Sequence, residues 1–163
     1  MCLDLKKGNS KIKTAKEDIT CWKWLKLDND GKLFSPYQKT RYYLNDRMKD
    51  SKRVRKTPPL HCLMGDAVEC CLHDGCFHTF RHFHDASLVS VLSAHNEAYQ
   101  EVIVKCTIPK GSKYYEGYFT PGFVQPMESY ASKELVITDR IHSTALGLDA
   151  LKHVNEDETY IKK

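Results

Sequence analysis

The segment Thr20-Cys21-Trp22-Lys23-Trp24-Leu25-Lys26-Leu27 constrains the fold of this chain more than any other stretch. It is aromatic, partly alternating, and runs into Asp28-Asn29-Asp30-Gly31 before Lys32-Leu33-Phe34-Ser35. Alternation that ends in a turn-forming cluster and then resumes is the pattern of a β-hairpin, with the Trp and Phe side chains facing a core. The acidic turn does not read as a calcium loop. With Gly31 at the sixth position, Lys26 falls first and Tyr37 twelfth, where acidic ligands are required.

Further strands follow from the same reasoning. Glu101-Val102-Ile103-Val104-Lys105-Cys106-Thr107-Ile108 is a β-branched run ended by Pro109 and a Lys110-Gly111 turn. Val102, Val104 and Cys106 share one of its faces, which makes Cys106 a core residue. Lys113 to Phe119 is aromatic and extended, residues 120–128 are looplike around Pro121-Gly122 and Pro126, and Glu134 to Ile141 re-enters a strand. Tyr37 to Leu44 gives one more strand, while the basic stretch 45–59 reads as a loop or a short frayed helix ended by Pro58-Pro59. Leu88, Val91, Leu92 and His95 fall at helical spacing after Asp85, a capping residue, so the middle of the chain predicts a helix. Leu148 and Leu151, with Leu146 and Ala150 beside them, predict a short C-terminal amphipathic helix that covers the sheet or contacts a second copy in a homo-oligomer.

With 163 residues, the chain has enough length for one core and little more. Residues 1–19 read as a polar, basic N-terminal arm, residues 20–155 as a single domain, and residues 156–163 as a polar tail. No segment approaches 18 consecutive apolar residues, so a membrane-spanning helix is not expected, nor is a secretory leader. Seven cysteines, an odd number that includes the adjacent Cys70 and Cys71, argue against a fully paired secreted framework and predict a reducing cytoplasm.

Charge is unevenly distributed. Residues 1–56 hold 16 basic and 7 acidic side chains, whereas residues 57–163 hold 9 and 14. Basic residues interleaved with tyrosines in the first third suit an anionic partner, because guanidinium groups supply directed charge and aromatic rings supply stacking area. A second concentration lies in residues 61–84, which carry five of the eight histidines and four of the seven cysteines. Thiolates and neutral imidazoles are zinc donors, and the tightest set is Cys71, or Cys70 in its place, with His73, Cys76 and His78; His61 or Cys62 would complete it. The same residues also read as small buried cysteines beside hydrogen-bonding histidines. On a strand, Cys76, His78 and Phe80 would share a face opposite Phe77 and Thr79.

Residues 75–86, the run Ile108-Pro109-Lys110-Gly111-Ser112-Lys113-Tyr114-Tyr115-Glu116-Gly117, and Ser129-Tyr130-Ala131-Ser132-Lys133-Glu134 resemble small proteins of bacteriophages and gut bacteria that carry no assigned chemistry. That resemblance spans roughly residues 20–141 and implies a phage or mobile-element origin. A weaker one is to compact ADP-ribosyltransferase-like folds, in which Arg41 or His78, the Ser129 to Ser132 segment and Glu134 would take the roles of early basic residue, hydroxyl strand and late glutamate.

These readings predict an α+β domain with a mostly antiparallel β-sheet, one middle helix and a short C-terminal helix. Its expected role is that of a non-enzymatic binding protein, a phage accessory factor that captures a host protein or an anionic, nucleotide-like ligand. Arg41, Tyr42, Tyr43, Arg47, Arg53, Arg55, Tyr114 and Tyr115 are the expected ligand-binding residues. Two alternatives stand beside it: an NAD-dependent ADP-ribosyltransferase-like enzyme, and a zinc-stabilised nucleic-acid-binding domain held by Cys71, His73, Cys76 and His78.

Overall fold

A computed structural model describes residues 3–37, 40–58, 68–93, 100–120 and 125–143. The first half contributes β1 (Leu3–Lys6), β2 (Lys13–Thr14), β3 (Ile19–Leu27), β4 (Leu33–Phe34), β5 (Arg41–Tyr42), β6 (Arg47–Lys49) and β7 (Arg55–Thr57). The second half contributes β8 (Val68–Asp74), β9 (Phe77–Phe80), helix α1 (Phe83–Ser93), β10 (Gln100–Ile108), β11 (Lys113–Phe119), β12 (Met127–Ser132) and β13 (Glu134–Ser143). Among the described residues the named strands pair antiparallel, in the order β6-β13-β10-β3-β9-β12-β11-β1-β8-β7, with β2 beside β11 and the β4–β5 pair beside β3; Leu44 adds an isolated parallel bridge to Ile137. Among the described residues no helix is long and apolar enough to cross a membrane.

The sheet curls into a half-barrel, and a single corner shows why. Only Gly75 and Cys76 separate β8 from β9, yet β12, β11 and β1 lie between these two strands in the sheet. A two-residue link between strands so far apart in the order requires their ends to be brought together. Gly75 makes that corner with φ +85°, and a Cβ there would stand 2.6 Å from the Arg53 carbonyl oxygen. Any other residue would be strained and would collide with backbone.

Alternation along β3 sends its side chains to two cores. Cys21 and Leu25 join Val102, Val104, Cys106, Ile108, Leu135 and Ile137 on one face, closed over by Leu33, Tyr42 and Phe77. Trp22 and Trp24 join Ile103 and Phe80 on the other, covered by Phe83, Ala86 and Val89 of α1. Burial on both faces is why the middle of β10 reads as a nearly unbroken apolar run. The helix begins at Phe83, ahead of Asp85, so Asp85 lies within the first turn rather than at the cap; a carboxylate is favoured there by the helix dipole.

Three expectations need correction or delimitation. Residues 1–19 are not simply an arm: Leu3 and Leu5 are fully buried with Leu72, Tyr115 and Ala131, and β1 is an interior strand between β11 and β8. The basic stretch 45–59 holds two short strands, β6 and β7, the outermost members of the sheet, rather than a helix. The expected C-terminal helix lies outside the described residues, while His142 and Ser143 still belong to β13.

Candidate functional site

β3 stays paired with β10 from Ile19 to Leu27, and β9 stays paired with β12 along its whole length. Between themselves, β3 and β9 share one ladder pair, Trp22 opposite Phe80. Beyond it the strands part, and Lys23 and Trp24 on one side lose their partners near His78 on the other. The gap becomes a pocket of about 490 Å³, counting its open mouth. Lys23, Trp24, Cys76, His78 and Phe80 form its interior side, and Ser35, Pro36, Tyr37 and Tyr42 from the β4–β5 region close it across. Tyr37 stands at the rim, 60% exposed, edge-on to Trp24 with ring centroids 5.7 Å apart.

Where the ladder fails, a side chain takes over one of its hydrogen bonds. Lys23 Nζ donates to the His78 carbonyl oxygen at 2.6 Å and lies 5.3 Å from the centre of the Tyr42 ring. Lys23 is only 7% exposed. Burial lowers its ammonium from 10.5 to about 8, against an opposite pull from Cys106 and Cys21. His78 is also buried, and neither Nδ1 nor Nε2 has a hydrogen-bond partner. Burial, then the neighbouring Lys23 charge, lowers its imidazole to about 3, while the His73 backbone, close enough to act on the ring as an acceptor yet outside hydrogen-bond geometry, pulls the other way. The ring is therefore neutral at physiological pH and offers one donor and one acceptor.

The remaining polar groups are neutral as well. Burial pushes the Cys76 thiol up to about 11, offset in part by Lys133, and holds the Tyr42 hydroxyl above its ordinary range. Trp24 is fixed by its indole N–H, which donates to Glu101 on the far side of β3 from the pocket's cation. No carboxylate belongs to the lining among the described residues. Near neutral pH the pocket thus carries one positive charge, a set of neutral hydrogen-bonding groups and aromatic walls.

Of the eight expected ligand-binding residues, Tyr42 alone lines this pocket. Tyr43 stacks with Arg41, whose guanidinium is 4.8 Å from its ring centre, and both are exposed. Arg47 is held by Glu134, and Arg55 Nε sits 3.1 Å from Asp74. The Arg53 side chain is exposed while its carbonyl packs on Gly75. Tyr114 and Tyr115 are buried, the first edge-on to Tyr130 and the second under Lys56. Arg47 and Arg55 are matched by carboxylates and Tyr42, Tyr114 and Tyr115 are buried, while Arg41, Tyr43 and Arg53 stay exposed.

The expected zinc set divides between β8, which holds Cys71 and His73, and the corner and strand that follow, which hold Cys76 and His78. Cys71 on β8 donates to Asp4 Oδ1 at 3.0 Å, and His73 hydrogen-bonds Thr57 at 2.5 Å. Cys76 and His78 belong instead to the pocket. Among the described residues no group of three or more His, Cys, Asp or Glu side chains comes together as a metal site; His61 and Cys62 lie outside them. Of the transferase-like set, His78 stands opposite Ala131 in the β9–β12 ladder, beside the hydroxyl segment, while the glutamate and Ser129 are engaged elsewhere. Glu134 is engaged by Arg47, by Lys49 at 3.3 Å and by Ser112 at 2.9 Å, and the Arg47 contact foremost lowers its carboxyl below the usual range. Ser129 donates to the Met127 carbonyl and lines a separate groove, where Glu116 pairs with Lys13 and Glu128 with Arg81 and His82.

Lys23 and Trp24 are the functional candidates that reading the sequence passes over. A lysine in an alternating strand normally marks a solvated face. The available signal is that Lys23 alternates with Cys21 and Leu25, on the face that also holds the apolar residues of the main core. Family models, curated proteins and solved structures return no match to this chain.

Proposed function

We propose that this protein is a non-enzymatic binding protein whose ligand is a small anionic molecule of nucleotide-like build, held in the pocket where β3 and β9 part. The observation that carries this reading is the pairing of a buried lysine, with no carboxylate beside it in the lining, and a buried neutral histidine whose two ring nitrogens lack partners. Buried polar groups are ordinarily satisfied, so two unpartnered ring nitrogens beside a concave, aromatic-lined space suit a ligand that completes the bonding. An anionic group would meet the Lys23 ammonium, and a planar ring would lie among Trp24, Tyr37 and Tyr42. The resemblance to small phage proteins supports an accessory role, in which such a ligand is withheld from the host.

The arrangement has a stability consequence that separates a binding lysine from a structural one. A lysine whose folded pKa lies below its unfolded value disfavours folding while the unfolded chain keeps its proton more readily. The penalty is full below about pH 8 and fades as the pH rises toward the unfolded value of 10.5. Its size is roughly 3 kcal/mol, lessened by the hydrogen bond to the His78 carbonyl. Lys23→Met is accordingly expected to raise the unfolding free energy at pH 7 by about 2 kcal/mol in urea titrations, with the gain shrinking between pH 8 and pH 10.

The same variant tests function. Adenosine monophosphate titrated into the wild-type protein should quench tryptophan fluorescence, and Lys23→Met should weaken its binding at least tenfold while the fold becomes more stable. Undiminished affinity in Lys23→Met, or no binding of adenosine monophosphate or benzoate to the wild type, would overturn the reading.

A further inference from the structure

We infer that Lys23 is a covalent anchor for carbonyl ligands, forming a Schiff base with an aromatic aldehyde that enters the pocket between β3 and β9. The inference rests on the reading of this pocket as a ligand site and goes beyond it by naming a reacting atom and a substrate class. Three observations carry it. Lys23 Nζ lies among pocket-lining residues that include no carboxylate, so no ion pair ties up its nitrogen there. Its described oxygen partner is one carbonyl, that of His78 at 2.6 Å. One N–H donated to that carbonyl fixes the amine and leaves the nitrogen lone pair of the neutral form available. Beside it lie the Tyr42 ring, its centre 5.3 Å from Nζ, and other aromatic lining residues, with a His78 imidazole that has no hydrogen-bond partner for either nitrogen.

The burial that lowers the ammonium to about 8 makes the neutral amine accessible near physiological pH. The step is a condensation and needs no oxidant or reductant. The ammonium first releases a proton to solvent. The nitrogen lone pair then forms a bond to the carbonyl carbon, and the C=O π electrons move to oxygen. A proton passes from nitrogen to that oxygen to give a carbinolamine. The carbinolamine hydroxyl takes up a proton, the C–O bond breaks with loss of water as the nitrogen lone pair closes the C=N bond, and the iminium N–H returns a proton to solvent to leave the imine. A neutral imidazole N–H is suited to donate to the carbonyl oxygen and to the carbinolamine hydroxyl that follows. Burial in a pocket, with one carbonyl as its hydrogen-bond partner, is what distinguishes this lysine from the many on the surface.

The test uses 4-formylbenzoate, an aromatic aldehyde that also bears an anionic group, with sodium cyanoborohydride as the hydride donor that converts an imine to a stable secondary amine. At pH 8 the expected result is one adduct per chain, mapped by peptide mass spectrometry to Lys23, formed at least tenfold faster than at any surface lysine. Benzoate should slow it, Lys23→Arg should abolish it, and labelling in 6 M urea should lose the preference. Labelling spread evenly over the lysines of the native wild-type chain would overturn the inference whether or not any variant folds. Benzoate or adenosine monophosphate binding without a Lys23 adduct would leave the pocket a ligand site and remove the covalent step. Absence of both would remove the pocket reading as well.

Discussion

Replacing Phe80 with alanine is expected to lower the unfolding free energy by about 4 kcal/mol, within the range for removing a fully buried aromatic ring. Phe80 is 1% exposed and packs in the core with Trp22, Trp24, Phe83 and Ile103, edge-on to Phe119 at 5.8 Å. Its position matters as much as its area. It forms the one ladder pair between β3 and β9, and so joins the strands from β6 to β3 with those from β9 to β7. Loss of the ring opens a cavity under α1 at the point where the two halves of the sheet meet. Urea unfolding followed by tryptophan fluorescence measures the change. Leu92→Ala, at a helix position 51% exposed, serves as the contrast and should change stability by less than about 0.5 kcal/mol.

Gly117→Ala is expected to cost about 3 kcal/mol and to lower the thermal midpoint by roughly 10 °C. Gly117 lies on β11 where β1 crosses beside it. A Cβ at this position would stand 2.3 Å from the Asp4 carbonyl oxygen and 2.9 Å from Leu3 Cγ. The nearer contact is to backbone, which cannot swing away as a flexible side chain can. β1 would have to move, and with it the bonds that Asp4 accepts from Cys71 and Thr120, each at 3.0 Å. Differential scanning calorimetry checks the prediction, and hydrogen exchange should show the loss of protection concentrated at Leu3 to Lys6.

The central strands are legible in the sequence because their pattern is local. Ile19 to Leu27 and Leu33 to Phe34 form the hairpin expected from Asp28 to Gly31, where Asp28 Oδ1 accepts from the Asp30 and Lys32 amides. β10 ends at Ile108, before Pro109, and Cys106 is fully buried. The sheet edges are less legible. β6 and β7 are three residues each and rich in Arg and Lys, the composition that protects an edge from further pairing and that also resembles a loop. β1 offers only Leu3 and Leu5 as apolar residues, and its partners lie far along the chain.

The site divides in the same way. Cys76, His78 and Phe80 all line the pocket, in keeping with the shared face that alternation gives them, and Tyr42 lines it too. What turns them into a site is the divergence of β3 from β9, a consequence of how β10 and β12 hold those strands from their other edges. That cause lies in residues distant in sequence, so no local pattern distinguishes Lys23 from a solvated lysine. Arg47 shows the same dependence on distant residues: its carboxylate partner is Glu134, 87 positions away.

The most direct measurement is an NMR titration of the lysine side chains and histidine rings in the folded protein, with Lys23→Met used to identify the Lys23 resonance. The pocket requires a Lys23 midpoint near 8 and a His78 ring that stays neutral throughout the mildly acidic range, its own midpoint being about 3. A Lys23 midpoint at the ordinary 10.5, or a His78 midpoint at the ordinary 6.5, would show that water reaches that group and would contradict the buried lysine and unpartnered histidine at the parting of β3 and β9.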